Sequence, residues 1–435
     1  MKKIICLLTA LLITVCVLPM SALAANDGKP DGYKQILNDT LGQLADTLTE
    51  PQFGGEWSVL TLARGGYYDI GDEYFENYYD RVVETVNTTA ASVDMGGALH
   101  KTKLTENSRL IIALSAIGKK SDSVGDWNLL APLENLTNVT KQGLNGPIYA
   151  LIALDTYGYE TADSTVRRQM IDYILSKELA TGGWTLFGSS ADPDITSMAI
   201  QSLAPYYSKY DDVKEAVDRG INVLSSMQRD DGGYASWGSV NAESIAQVIV
   251  ACTSLGIDPH TDERFVKDGN SAVDALLGFY VSDQKMFSHT LGTAGNAMAT
   301  YQAAYALVAY DRLKSGKTSL YDMTDVTEQL ENAAKADEVI ELIAAIGTVS
   351  KESKDAIYDA REAYDALTSE QKALVSNYGV LQAAESAYAE LTSSDDYSES
   401  PETGDIGTQW LFIPLIMCIA AVFVLSKQVL KRDNT

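Results

Sequence analysis

The sequence predicts an all-α protein: a closed double ring of six helix pairs, then a three-helix bundle, then one membrane-spanning helix. Three observations predict it. Six stretches repeat one pattern, a small or polar opening followed by a helix rich in Ala, Leu and Ile. Paired glycines followed by an aromatic residue mark turns between the helices. A 17-residue stretch without charge, 410–426, stands just before a basic tail.

In chain order, residues 1–24 read as a secretory leader. Lys2 and Lys3 precede an apolar run, and Ala22-Leu23-Ala24 supplies a small-x-small cleavage site. The ring is expected over 25–325. Its inner helices open at Glu56-Trp57, Asn107-Ser108, Asn145-Gly146-Pro147, Asp194-Ile195-Thr196, Asn241-Ala242-Glu243 and Asn296-Ala297-Met298. Asp194, Asn241 and Asn296 suit N-caps, whose side chains satisfy free backbone N–H groups, and Pro147 suits a first helical turn. Stretches 166–178 and 213–228 carry apolar residues at helical spacing with charges between them. Each unit therefore pairs an amphipathic helix with one that is apolar nearly all round. The second kind must be buried on every side, which places it in an inner ring. Gly182-Gly183-Trp184 and Gly232-Gly233-Tyr234 each join an outer helix to an inner one, and 285–289 is a weaker third copy around Phe287.

From Asp337 the pattern changes. Helices over 337–346, 351–366 and 378–391 give a bundle within 330–392, with apolar stripes Val339, Leu342, Ile343, Ile346 and Ile357, Ala360, Tyr364, Leu367. Residues 393–399 form an acidic, Ser-rich linker. Ser400-Pro401-Glu402-Thr403-Gly404 follows, then a span over 409–426 and a basic tail over 427–435.

The chain has 435 residues, with 33 Lys and Arg against 59 Asp and Glu, a net charge of −26. Loss of the leader and of everything after Thr403 would remove five positive and two negative charges, leaving 28 against 57 and a net of −29. Such acidity excludes a nucleic-acid binder, since nothing attracts phosphate. Cys252 alone would remain of four cysteines, and its apolar surroundings predict a small buried hydrophobe.

Two resemblances follow from these residues. The segment 400–404 before a span and basic tail resembles the sortase sorting signal of Gram-positive surface proteins, with Ser400 where Leu is commonest. The resemblance implies cleavage between Thr403 and Gly404 and attachment of Thr403 to peptidoglycan, with Pro401 part of the motif. It places the protein on the outer face of the cell, anchored in the wall or, if uncleaved, by its helix. The Gly-Gly-Trp and Gly-Gly-Tyr turns resemble the prenyltransferase and squalene-cyclase repeat, which implies an (α/α)6 toroid.

Fold does not set function. Asp192-Pro193-Asp194-Ile195 matches the cyclase acid motif at its first and third positions but has Ile195 at the fourth. The zinc trio of protein prenyltransferases and the Cys-Gly-Glu-Gln of complement-type thioester domains are missing. The stretch 192–199 looks like the Asp-Thr-x-x-Met-Ala pattern of cobalamin carriers, with Ile195 intervening. A binding protein is therefore expected, requiring no cofactor, whose ligand is a corrinoid or a glycan. The expected contacts are Asp194, Thr196, Asn241, Asn296, Trp57 and Tyr149. The alternatives are a surface enzyme, either one acting on glycans through paired carboxylates among Glu56, Asp192, Asp194 and Glu243 or a cyclase-like one using Asp194, and an adhesive scaffold. Trp184, Tyr234, Trp237 and Tyr301 join the aromatic set either as stacking surfaces or as packing.

Overall fold

A computed structural model describes residues 32–47, 55–67 and 70–393. The expected leader, the expected sorting motif with Pro401, Thr403 and Gly404, the expected span and the basic tail lie outside the described residues. Among the described residues no helix is long and apolar enough to cross a membrane. The chain divides into two units at Glu331/Asn332.

The first unit alternates outer and inner helices. The outer helices are α1 (Gly32–Thr47), α3 (Asp72–Val93), α5 (Leu136–Val139), α7 (Val166–Ser176), α9 (Asp211–Met227) and α11 (Ala272–Leu277). The inner helices are α2 (Glu56–Gly65), α4 (Thr105–Ala116), α6 (Asn145–Asp155), α8 (Pro193–Leu203), α10 (Ala242–Ser254) and α12 (Ala297–Lys314). Each inner helix packs on the next, and α12 packs back on α2, so the ring closes. This is an (α/α)6 toroid. The inner helices are buried nearly all round: α10 exposes little of Ala242 or of Ser244 to Thr253. Cys252 is fully buried there, and burial raises its thiol pKa well above the ordinary value.

One structural unit recurs three times. The N-cap residue before α8, α10 and α12 donates its backbone N–H to the carbonyl of the buried aromatic in the preceding turn. The pairs are Asp192 to Trp184 at 2.9 Å, Asn241 to Tyr234 at 3.3 Å and Asn296 to Phe287 at 2.8 Å. All three aromatics are fully buried. The paired glycines make the turn possible: Gly182, Gly183 and Gly232 have φ of 84°, 74° and 79°.

The fold departs from purely helical in three two-residue hairpins: Ala235–Ser236 with Ser239–Val240, Val266–Lys267 with Asn270–Ser271, and Tyr280–Val281 with Met286–Phe287. A further departure lies at the ends of the inner helices. Residues 317–325 run back across the C-terminal ends as a strap. Thr156 donates its hydroxyl to Tyr321 O at 2.7 Å and accepts Met323 N–H on its carbonyl at 2.8 Å. Buried Arg64 holds Leu320, Ser319 and Asp322 carbonyls at 3.1, 2.9 and 2.7 Å.

The helix α13 (Thr324–Ala345) begins 13 residues before the expected start at Asp337. The early start follows from the strap, which leads directly into its first turn. In the second unit, the later part of α13 packs with α14 (Lys354–Ala366), the short α15 (Ser369–Leu374) and α16 (Tyr378–Ser393). Val339, Ile343, Ile346, Ile357, Ala360, Leu381 and Ala384 form its core, whereas Leu342 is exposed. Tyr364 and Tyr378 stack at 4.2 Å, and Arg361 pairs with Glu385 at 2.6 Å.

Candidate binding site at the helix N-termini

The axis of the toroid is filled. Trp57 lies 5.8 Å from Tyr149 and 6.0 Å from Tyr305, ring centre to centre. Gln247 Nε2 donates to Tyr305 Oη at 2.6 Å and to Gln302 Oε1 at 3.1 Å. Beside this plug, at the N-terminal ends of the inner helices, a cavity of about 410 Å³ opens toward solvent. Units three to six line it, through Tyr149, Asp194, Met198, Ser236, Trp237, Ser239, Asn241, Glu243, Gln247, His289, Met298 and Gln302.

Six of these residues occupy two equivalent positions. Counted from the N-caps Asp192, Asn241 and Asn296, the second helical residues are Asp194, Glu243 and Met298, and the sixth are Met198, Gln247 and Gln302. Positions four apart share one helix face, so each helix turns the same two residues to the cavity.

Asp192, not Asp194, caps α8. Its Oδ1 accepts the N–H groups of Asp194 and Ile195 at 3.0 Å each. Its Oδ2 accepts the Ser236 hydroxyl at 2.8 Å. That bond ties the hairpin over 235–240 to the cavity rim. At the tip stands Trp237, 90% exposed and at φ 53°. A bulky side chain in the left-handed region is uncommon and costs backbone energy.

Asp194, freed from capping, faces the cavity, but its Oδ1 is buried without a hydrogen-bond partner. Burial is the main cause that raises its pKa, to about 6; Asp192 and Glu243 add to the rise, and Ser244 and Ser236 oppose it. Glu243 is mostly buried, and its Oε2 stands 2.8 Å from His289 Nδ1.

The other expected contacts have different employment. Thr196 is buried; its Oγ1 accepts Trp184 N–H at 3.0 Å and so serves the turn. Asn296 caps α12. Asn241 caps α10 and also lines the cavity. Trp57 packs in the axial plug behind Tyr149, which reaches the cavity and donates its hydroxyl to Met198 Sδ at 3.0 Å. Glu56 pairs with Arg109 at 2.9 Å, away from the cavity lining. Trp184 and Tyr234 are core; Trp237 is the exposed aromatic at the rim. The cavity residues that sequence reasoning missed are Met198, Ser236, Ser239, Gln247, His289, Met298 and Gln302. The second-and-sixth spacing from each cap was the available signal for Met198, Gln247, Met298 and Gln302, and nothing comparable marked the two serines or His289. Among the described residues, no three His, Cys, Asp or Glu side chains gather as a metal site.

The pKa of Asp194 makes a stability prediction. The folded chain holds this proton more tightly than the unfolded chain, whose Asp titrates near 3.8. Stability therefore falls as pH rises from about 4 to 6, and the full cost remains above that range. Asp194→Asn removes the cost. It is expected to stabilise the fold by about 3 kcal/mol at pH 7 and by almost nothing well below pH 4, measured by urea unfolding at both pH values. Equal effects at both would show that the carboxyl is well solvated.

No family model matches the chain, and no curated protein matches it. Among solved structures it is similar to the unsaturated glucuronyl hydrolase of Bacillus sp. GL1, responsible for the degradation of glycosaminoglycan. Identity is 13% and the TM-score 0.47, over 67% of this chain and 99% of that one.

Proposed function

We propose that the protein is a saccharide-binding toroid displayed on the outer face of a Gram-positive cell, with the sugar held in the cavity beneath Trp237. The leader and the sorting-type segment 400–404 support the location, with a sortase and peptidoglycan as partners at the anchor. One observation carries the ligand class: an exposed tryptophan, held by its hairpin in a costly conformation, stands over a cavity lined by amide, carboxyl and imidazole groups. A flat apolar ring over several donors and acceptors suits a sugar, which has one apolar face and a rim of hydroxyls. Among the described residues, the cavity lining carries two carboxyl groups and no Lys or Arg, which favours neutral or amino-bearing sugars over anionic ones.

A corrinoid is the second reading, favoured by the likeness of 192–199 to the carrier pattern. Its flat macrocycle would meet the exposed Trp237 and Met298 at the rim. Thermal shift with neutral oligosaccharides and with cobinamide separates the two. Saturation at one hundred times the dissociation constant should add about 2.7 kcal/mol of stability. Trp237→Ala is expected to weaken sugar binding by about 10- to 100-fold, measured by calorimetry, with the melting temperature of the free protein unchanged or raised. Unchanged affinity in that variant would remove the rim from the site.

A further inference from the structure

We propose that the cavity cleaves the saccharide it binds, with Asp194 as the proton donor to the leaving oxygen and Glu243 as the base that activates water. The proposal rests on the saccharide reading above and adds chemistry to it.

The two carboxyls occupy the same position on adjacent inner helices, the second residue of α8 and of α10, and both line one cavity. The two helices pack directly on each other, and the Glu243 charge acts on Asp194, so both carboxyls serve one site; a pair with room for a water between them lets that water attack directly. The surroundings of the two differ, as an acid and a base require. Asp194 Oδ1 is buried at the cavity wall, and burial, its largest influence, favours a carboxylic acid over a carboxylate, with the Asp192 and Glu243 charges acting the same way and the Ser244 and Ser236 hydroxyls only partly opposing them. Glu243 instead has the His289 ring nitrogen at 2.8 Å from its Oε2, a contact that orients the carboxyl group. Asp192 is excluded as either partner, because both its oxygens are taken by the cap and the hairpin.

The step balances with water as the only co-reactant. The water oxygen bonds to the anomeric carbon while the bond from that carbon to the leaving oxygen breaks, its electron pair passing to that oxygen. Asp194 gives its proton to the leaving oxygen, and Glu243 takes one from the attacking water. Exchange with solvent returns both groups to their starting states. The Asp194 pKa of about 6 sets the expected pH dependence: the rate falls as pH rises through 6.

The test uses the purified protein with two probes, an end-labelled hexamer of N-acetylglucosamine and a hexamer of glucose. Binding is read by calorimetry and cleavage by new reducing ends, between pH 4 and 8. The expected result is cleavage of a bound probe, lowered about 10²- to 10⁴-fold in Asp194→Asn and in Glu243→Gln, with binding retained within a few-fold. Thermal unfolding of each variant shows that it is folded. Binding without new reducing ends at any pH overturns the proposal and leaves the binding reading standing. Cleavage in Asp194→Asn at the wild-type rate overturns the assignment of the acid. Binding of neither hexamer overturns both the reading and the proposal.

Discussion

Replacing Asp325 by Ala is expected to cost about 3–5 kcal/mol of stability. Arg64 and Arg312 are 2% and 6% exposed at their side chains, and Asp325 pairs with both. Without Asp325 the two buried guanidiniums keep only the strap carbonyls and the weaker influence of Asp322, which leaves most of their charge uncompensated. Burial first, and then the neighbouring Arg312, lower the Arg64 pKa, which shows how far that site is from water. Burial alone would raise the pKa of Asp325, but the two arginines hold it below the ordinary 3.8. The stabilisation is therefore present above pH 4 and is lost as pH falls below the unfolded value. Asp325→Asn should lose less, since it keeps the shape and some hydrogen bonding. Asp212→Ala supplies the contrast: its pair with Arg168 is exposed, and its loss should cost under 1 kcal/mol. Denaturant unfolding of the three variants measures this. A loss below 1 kcal/mol for Asp325→Ala would mean that the carbonyls of the strap alone satisfy both arginines.

The same strap explains what the sequence could and could not reveal. The inner helices were legible because each must be apolar all round, a constraint that every one of them satisfies independently of its neighbours. The strap was not legible, because its buried Leu320, Tyr321 and Met323 stand among polar residues with no period, and it is held largely through backbone carbonyls that any sequence carries. Arg64 and Arg312 sit on apolar helices 248 positions apart and meet only when the ring closes. The N-cap of α8 was misplaced by two residues, because Asp192 and Asp194 both suit a cap. Pro193 decides between them, since proline belongs at the first helical position and puts the cap at Asp192. That correction frees the side chain of Asp194, an expected contact, from the capping role and leaves it in the cavity lining. Trp237 was visible only as one aromatic among six; its exposure depends on a hairpin of two-residue strands too short to show a period.

The repeat itself can be tested at two equivalent turn positions whose substitutions should act in opposite directions. Trp184 and Tyr234 are both fully buried and both carry the N-cap bond on their carbonyls. Trp184 has its indole N–H satisfied by Ile174 O at 2.8 Å, and Gly220 on α9 leaves room for the ring: a Cβ there would lie 3.0 Å from Trp184 Cζ3. Trp184→Ala leaves a cavity between two units and should cost about 3–5 kcal/mol. Trp184→Phe should cost about 1–2 kcal/mol for the lost bond and the smaller ring. The Tyr234 hydroxyl, in contrast, is buried without a partner. Desolvating it gains nothing in return, so Tyr234→Phe should be neutral or stabilising by about 1 kcal/mol. If Tyr234→Phe instead costs more than 1 kcal/mol, the hydroxyl has a partner in solution, and the two turns are less alike than their shared backbone bond implies. If the opposite signs hold, the backbone bond defines the repeat, and the side-chain end of each aromatic is free to differ from unit to unit.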